Sequence, residues 1–429
     1  MLNRNAASSA SSRLEALQAD GDRRWLVGAS VSSKCDRVTA SLVRVRGRGL
    51  AARADIVGAV GRDIPGEITG LFNSLANAMP CAVTSLAALR TQLAEHETAV
   101  VLELLKSQGV QPSKVLAVGI HDPGLWEFAR GEPVGYLGLC DPARLAETTG
   151  LNVIDAFPAR DLAVGGQGGP IGALAEWLLL GDPLRNRVLL DLGRTVRLTY
   201  LPASRRERSD QRILAFEVGP GSSLLDRLAQ QLTAGQHRCD TGGRLAVQGH
   251  RIEELADHWL RDSYFDCPPP RWHPRGVKPE RFLADATRMA MAADWSVRNM
   301  LCTATHFIAE MVARTLTRRL PEDAMIDEVL ITGGARHNGM LLREIGSLTG
   351  LPLVRVSDLP IPADALESAT IAVLAALHLD ETPANRPSIT KAREPRLLGR
   401  LTAATPQSLQ LLLETVNGNL AARPLRAAV

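Results

Sequence analysis

The sequence predicts an α/β protein built from two copies of one unit, each reading βββαβαβα. Three observations predict it: two strand trios in the same order, a matching helix–strand–helix–strand run after each, and an apolar helix that closes the second copy. Strand trios joined to alternating helices and strands imply a mixed sheet covered by helices.

The first trio is 24–31 (RWLVGASV), 37–45 (RVTASLVRV) and 52–60 (ARADIVGAV), each with the alternating, β-branched character of a paired strand. A helical stretch opens at about Pro65. The helix 89–109 leads into the strand 114–122 (KVLAVGIHD), and the helix 141–150 (DPARLAETTG) into the strand 152–157 (NVIDAF). The second trio is 187–193 (RVLLDLG), 196–203 (VRLTYLPA) and 212–219 (RILAFEVG). The helix 223–235 follows it. Helix 304–320 leads into strand 327–332, helix 338–350 into strand 352–357, and helix 365–379 (ALESATIAVLAALHL) closes the copy.

The boundary between the copies falls near residue 163. The expected domains are 22–163 and 164–402, with the chain end packing back on the first domain. Residues 1–21 read as a disordered Ser/Ala-rich tail and 403–429 as a C-terminal extension. The duplicated pattern describes the actin-like (ribonuclease H-like) architecture of ATPases and sugar kinases, in which ATP sits in a cleft between two similar domains. Small-molecule sites favour such interfaces.

Composition narrows the function classes. The 429 residues are 45% hydrophobic and 22% charged, an ordinary globular balance, and aromatics are only 4%, so Ala, Leu and Val must build the cores. A net charge of +3 without a clustered basic face argues against a nucleic-acid partner. No apolar run approaches a membrane span, and the N-terminus shows no apolar signal segment. The six cysteines are scattered without a CxxC, which fits reduced, cytoplasmic thiols rather than disulfides or a zinc site. His306 and Glu310 lie one helical turn apart, but without further ligands no metal site is read there.

In the actin-like architecture, tight turns within each trio hold phosphates. The first is 28–37 (GASVSSKCDR), with Gly28, Ser32, Ser33, Lys34 and Asp36 as candidates for the nucleotide. The second is 191–197 (DLGRTVR), with Gly193 and Arg194. Gly219 and Gly221 follow in 218–226 (VGPGSSLLD). A third turn, 332–338 (TGGARHN), brings Gly333 and Gly334 to a strand end that opens a helix, where backbone N–H groups point outward. By itself it also reads as an ordinary turn after a strand. The stretch 159–170, ARDLAVGGQGGP, has four glycines within five residues just after Asp161.

These residues make the chain recognisable. Over about 25–402 it resembles the anhydro-N-acetylmuramic acid kinase family. The central match is ARDLAVGGQGGPIG, similar to the family's xxD-x-A-x-GGQGAP segment. Around it, in collinear order, come HD (121–122), CDPARLAETTG (140–150), DLG (191–193), VGPGSSLLD, CDTGGRLA (239–246), PPP…GVKPERF (268–282), TGGARHN, LES (366–368) and ITKA…LLG (389–399). The resemblance implies transfer of the ATP γ-phosphate to an anhydro sugar released by peptidoglycan turnover. Water opens the internal bridge, and the product is N-acetylmuramic acid 6-phosphate. It implies Mg²⁺-ATP, a general base and donors that hold the triphosphate in line. By the match Asp161 is that base, and His121, Gln167 and Glu367 contact the sugar. Asp226 and Asp240 resemble family aspartates of the second domain. The family also implies a homodimer, although no interface is visible in the sequence.

The departures matter as well. The family's G-x-MSGTS-x-DG-x-D is GASVSSKCDRVT here, with Ser32 and Arg37 in place of glycines, Lys34 in place of a serine and Thr39 in place of an aspartate. The family's NIGGIAN is DLGRTVR, with Arg194 for a glycine and Arg197 for an asparagine. HGQT is His121-Asp122-Pro123-Gly124, and the DFR before the catalytic aspartate is Ala156-Phe157-Pro158. A Cβ at a phosphate loop bars φ > 0 and fills space. Yet Lys34, Arg37, Arg194 and Arg197 are all cations. Either they point to solvent, or they hold an anion by side-chain charge instead of backbone N–H groups. Three functions stay open on these residues. They are a working kinase of this family, a non-catalytic relative that binds a muropeptide sugar or anionic ligand as sensor or scaffold, and a kinase of another small sugar. The segment 268–282 reads as a rigid, exposed surface loop.

Overall fold

The computed structural model describes residues 23–77, 79–127, 134–204, 209–273, 276–362 and 364–417. The expected N-terminal tail, and residues 418–429 of the expected C-terminal extension, lie outside them. The chain divides into two compact units. The first holds the described residues up to Leu179, with Ile361–Pro387 and Ala392 onward. The second holds Leu180–Pro360 and Ser388–Lys391.

The first unit opens with the strands β1 (Arg23–Val31), β2 (Arg37–Arg46) and β3 (Arg53–Asp63), then the helices α1 (Gly66–Ala76) and α2 (Val83–Ser107). Next come β4 (Val115–His121), a small hairpin of β5 (Leu125–Glu127) and β6 (Gly135–Leu137), and α3 (Pro142–Thr149). β7 (Val153–Asp155), α4 (Phe157–Ala163) and α5 (Ala173–Leu180) follow. The second unit contains β8 (Arg187–Leu192), β9 (Thr195–Leu201), β10 (Leu214–Pro220), α6 (Ser222–Leu232), α7 (Glu253–Leu260), α8 (Glu280–Ala293) and α9 (Val297–Arg318). It ends with β11 (Glu328–Thr332), α10 (Gly339–Thr349) and β12 (Leu353–Arg355). The chain then adds α11 (Leu366–Leu379), β13 (Arg400–Thr402) and α12 (Pro406–Asn417) to the first unit.

The duplication is visible in strand order. The first sheet runs β13-β7-β4-β1-β2-β3 and the second β10-β9-β8-β11-β12. Read from the third strand of each trio, both follow third, second, first, fourth, fifth. In both, the trio is antiparallel and the two later strands lie parallel to the first. This is the duplicated actin-like fold that the repeat predicts.

The helix at 366–379 corrects one expectation. The repeat predicts that it closes the second copy, but it packs on the first sheet. Two glycines make this possible: a Cβ at Gly28 of β1 would overlap the Ser368 carbonyl oxygen, and one at Gly119 of β4 would lie 2.7 Å from the Ile371 carbonyl oxygen. The helix is apolar and buried on nearly every side, as a helix between other elements must be. The unit boundary also falls at Leu179/Leu180, sixteen residues (179 − 163) beyond the expected split, so α4 and all but the last residue of α5 belong to the first unit. On the opposite face, Leu89, Leu93, Val100 and Leu104 of α2 pack with Val27, Ala29 and Val31 of β1. Alternation along β1 therefore sends Val27, Ala29 and Val31 to α2, and Gly28 and Ser30 to α11.

Glu97 sits on the buried face of α2 and is fully buried. Burial pushes its acid well above the usual 4.5 and the Asp122 carboxylate adds to the effect, while the Cys140 thiol opposes it. The folded chain therefore keeps a proton that the unfolded chain loses near 4.5. That stability is fully present below this pH and is lost as pH rises towards the folded value. Glu97→Gln keeps the neutral shape. Its thermal midpoint should exceed that of the wild type at about pH 8, and the gap should shrink towards about pH 5. Equal midpoints at both pH values would show that Glu97 is not held neutral.

The segment 268–282 also differs from expectation. Of it, residues 274–275 lie outside the described residues. Arg271 is 9% exposed rather than solvated. Its guanidinium donates to the carbonyls of Glu217 (2.6 Å), Val218 (3.1 Å), Tyr264 and Cys267 (both 3.0 Å), and it stacks 4.8 Å from the Tyr264 ring. A five-donor fork satisfies this cluster of carbonyls at once.

Candidate active site

In the first unit, β1, β4 and β7 are parallel, and their C-terminal ends share one edge. Ligand sites of open α/β sheets form at such ends. The turn after β7 becomes α4, which starts at Ala156 (φ 54°) with Pro158 in its first turn and carries Asp161. Asp161 is fully buried. Its Oδ2 accepts the Gly168 N–H (2.8 Å) and its Oδ1 accepts from Asn385 Nδ2 (2.7 Å). Its carbonyl accepts the Gly166 N–H at 2.9 Å. A Cβ at Gly166 would overlap the Asp161 carboxylate, and Gly168 needs its φ of 76° to turn its N–H onto Oδ2. The glycines of GGQGGP thus wrap this carboxylate, with backbone donors that match its acceptor-only ionised form.

The sugar candidates fall on the same strand edge. His121 ends β4 and lies beside Ser30 of β1 in register. Both follow a glycine that seats α11, by one step of alternation, so both face the side of the sheet that α11 covers. Glu367 is in the first turn of α11 and is exposed. Gln167 is half-buried, and its Oε1 has no hydrogen-bond partner among the described residues.

The nucleotide candidates divide into two groups. In the first turn, Ser33, Lys34 and Asp36 are exposed. The Ser32 hydroxyl bonds Asp36 Oδ1 (2.5 Å) and accepts the N–H groups of Asp36 (3.1 Å) and Arg37 (3.3 Å). That turn is stapled by a side chain where the family has a glycine. Gly28 lies away from it, under α11, so the room its missing side chain leaves is taken by the helix. In the second unit, the turns after β8, β10 and β11 share one sheet edge. Gly333 (φ 85°) tucks against the β8 turn, where a Cβ would overlap the Asp191 carboxylate, while Gly334 has open space above it. A Cβ at Gly193 would come 3.1 Å from Asp191 Oδ1. Gly221 follows β10, and the N–H groups of Gly221, Ser222 and Ser223 donate to the carbonyls of Arg194 and Gly193 (2.8–3.3 Å). The N-terminus of α6 is thereby closed by the β8–β9 turn. Gly219 is interior, because a Cβ there would overlap the Met311 sulfur.

The four cations do not form one set. Arg37 pairs with Asp63 (2.5 Å). Arg197 donates to Asp191 Oδ2 through Nε (3.0 Å) and Nη2 (2.5 Å) and faces Glu217 on β10 in register. Burial raises the Glu217 acid to about 7, against the pull of the Arg197 and Arg271 charges. Arg194 is exposed at the tip of its turn. Asp240 serves the backbone, accepting the N–H groups of Leu245 (2.8 Å) and Ala246 (2.9 Å).

Three further residues near these elements were not among the candidates. Asn385 reaches Asp161 from 224 positions away, which no spacing reveals. Asp122, beside His121, accepts the N–H groups of Gly124 (2.8 Å), Leu139 (2.9 Å) and Cys140 (2.8 Å), and so ties down both ends of the segment after β4. Ser30 is 2% exposed and its hydroxyl has no partner among the described residues. It lies inside the quoted turn 28–37, and the alternation along β1 places it on the face that α11 covers.

The model of the anhydro-N-acetylmuramic acid kinase family matches residues 26–404. A protein named anhydro-N-acetylmuramic acid kinase from Crocosphaera subtropica is 28% identical over 380 residues, covering 87% of this chain and 98% of its own length. One of the same name from Synechococcus elongatus is 33% identical over 345 residues, 77% of this chain and 86% of its own. Among solved structures, a ROK family glucokinase from Streptomyces griseus aligns with 82% of this chain and 98% of its own, at 15% identity and a TM-score of 0.34, a likeness that carries no argument about function.

Proposed function

Because this chain belongs to the anhydro-N-acetylmuramic acid kinase family, we propose that it phosphorylates 1,6-anhydro-N-acetylmuramic acid with ATP and opens the anhydro bridge with water in the same reaction. The observation that supports the reading most is the environment of Asp161. A fully buried carboxylate, wrapped by glycine backbone and an amide donor, is built to accept a proton at one fixed place. Asp161 takes the proton of the attacking water. The water oxygen bonds C1 of the sugar, the C1–O6 bond breaks, and O6 takes the γ-phosphoryl group as ADP leaves. The product is N-acetylmuramic acid 6-phosphate, the form in which the sugar would re-enter metabolism after peptidoglycan turnover. Ser30, His121, Gln167 and Glu367 line the sugar's side.

The nucleotide belongs to the turns of the second unit. What supports this is Gly333, whose missing side chain lets the β11 turn close against Asp191, and Gly334, which has open space above it at a strand end. Mg²⁺ bound with the triphosphate would neutralise charge that develops in transfer. It needs only one or two protein carboxylates, and Asp191 is the carboxylate those turns enclose. The same proposal includes a cytoplasmic setting and a homodimer. All six cysteines are unpaired, and no described helix is long and apolar enough to cross a membrane.

The altered turns give the second reading its one support. Arg37 and Arg197 are engaged by Asp63 and Asp191, so they are not free cations awaiting phosphate. ADP release from ATP that depends on the anhydro sugar separates the two. Sugar-dependent release supports the kinase. Thermal stabilisation by the sugar with no ADP formed would leave a binding protein.

A further inference from the structure

We propose that Asn385 is a positioning residue for Asp161: it orients the carboxylate of the proposed base, and the reaction depends on that bond. The inference rests on the reading of Asp161 given above. It stands on four observations.

The first is connectivity. Asn385 Nδ2 donates to Asp161 Oδ1 at 2.7 Å, between two side chains that are 1% and 0% exposed. A hydrogen bond this deep exchanges little with water, so its geometry is set by the protein.

The second is the orientation of the amide. Asn385 Oδ1 accepts the Arg396 N–H, and a backbone N–H can only donate. The oxygen must therefore face Arg396, which leaves Nδ2 facing Asp161. A flipped amide would oppose two donors at Arg396 and two acceptors at Asp161. One residue thus reads a donor on one side and an acceptor on the other, with no second arrangement that satisfies both.

The third is division of labour at the carboxylate. Gly168 N–H holds Oδ2 and Asn385 holds Oδ1, so the plane of the carboxyl group is fixed from both ends. Gly166 leaves no room for the group to rotate towards its own loop, because even a methyl there would overlap it. Without Asn385, that end of the carboxylate loses the amide donor that orients it.

The fourth is how the amide is brought there. Asn385 and its anchor at Arg396 flank the short segment that returns after α11, and the Arg393 N–H fixes that segment to the Val164 carbonyl (3.0 Å), in the same loop that wraps Asp161. Nδ2 also reaches the Glu394 carbonyl at 3.4 Å. The chain end is therefore tied directly to the Asp161 loop.

The test separates the two ends of the amide. Asn385→Asp keeps an oxygen for the Arg396 N–H, removes the Nδ2 donor towards Asp161 and the Glu394 carbonyl, and sets a second carboxyl group against Asp161. Asn385→Ala removes both ends of the amide. Steady-state kinetics of ADP release should show kcat down by about 10²-fold for both variants, with the KM for ATP within about twofold of the wild type. In an Asp161→Asn background, adding Asn385→Asp should cost nothing further, because a residue acting through Asp161 has nothing left to act on. If Asn385→Asp keeps wild-type kcat while Asn385→Ala loses it together with thermal stability, Asn385 is structural and the inference fails. Additive losses in the double variant overturn it as well. In either case the wild type still turns over and the proposed function stands. A folded wild type without turnover overturns both.

Discussion

Asp161→Asn should lower kcat for sugar-dependent ADP release by about 10³-fold, within the range a general base contributes. The substitution is close to isosteric but replaces an acceptor with an amide. Only one of its two ends can accept, while both Gly168 N–H and Asn385 Nδ2 donate into the site. A stability cost of about 1–2 kcal/mol therefore accompanies the loss. Thermal melting beside the kinetics separates the two effects, since a loss of that size in stability leaves the protein folded at 25 °C. Turnover within tenfold of the wild type would remove Asp161 from the chemistry.

Gly28→Ala should have the largest effect on the fold. The added methyl would overlap the Ser368 carbonyl oxygen and come 2.5 Å from the Ala372 backbone N. Both belong to the backbone of α11, so no side chain can swing away. The helix must lift from β1 and β4, and Ser41 would lose its bonds to the Ala365 carbonyl (3.0 Å) and Ser368 Oγ (2.6 Å). Overpacking of this kind costs about 3 kcal/mol. The expected result is a thermal midpoint lower by about 6–12 °C. An unchanged midpoint would mean that the helix does not sit on Gly28.

The same glycine shows where the sequence was legible and where it was not. The strand trios were legible because Val27, Ala29 and Val31 alternate with small residues, and that period survives in the fold. What the period could not tell is which helix covers the small face. The covering helix lies more than 300 positions downstream, after the second unit, and local patterning carries no such distance. Gly28 in a glycine-bearing turn therefore read as a phosphate contact. Local patterning likewise singled out Asp161 as a candidate through its glycine-rich surroundings, and could not point to Asn385. Buried polar partners such as Asp122 and Arg271 look like surface charges in a sequence. Only the backbone groups they serve give them away.

The basic substitutions in the phosphate turns resolve in a similar manner. Asp191 and Arg197 stand where the family has neutral residues at both places, and they are opposite each other on β8 and β9. One change compensates the other. Because Arg197 is half exposed, the pair is worth about 0–1 kcal/mol. Its consequence is local, since it places a neutralised ion pair beside Gly333 rather than a bare cation.

The most direct measurement is the mass of the product formed from 1,6-anhydro-N-acetylmuramic acid and ATP in ¹⁸O-labelled water. The proposed reaction predicts a product heavier than the sugar by one phosphoryl group and one labelled water, formed one for one with ADP. A product that gains the phosphoryl group without the label, or a wild-type protein that binds the sugar and releases no ADP, would contradict it.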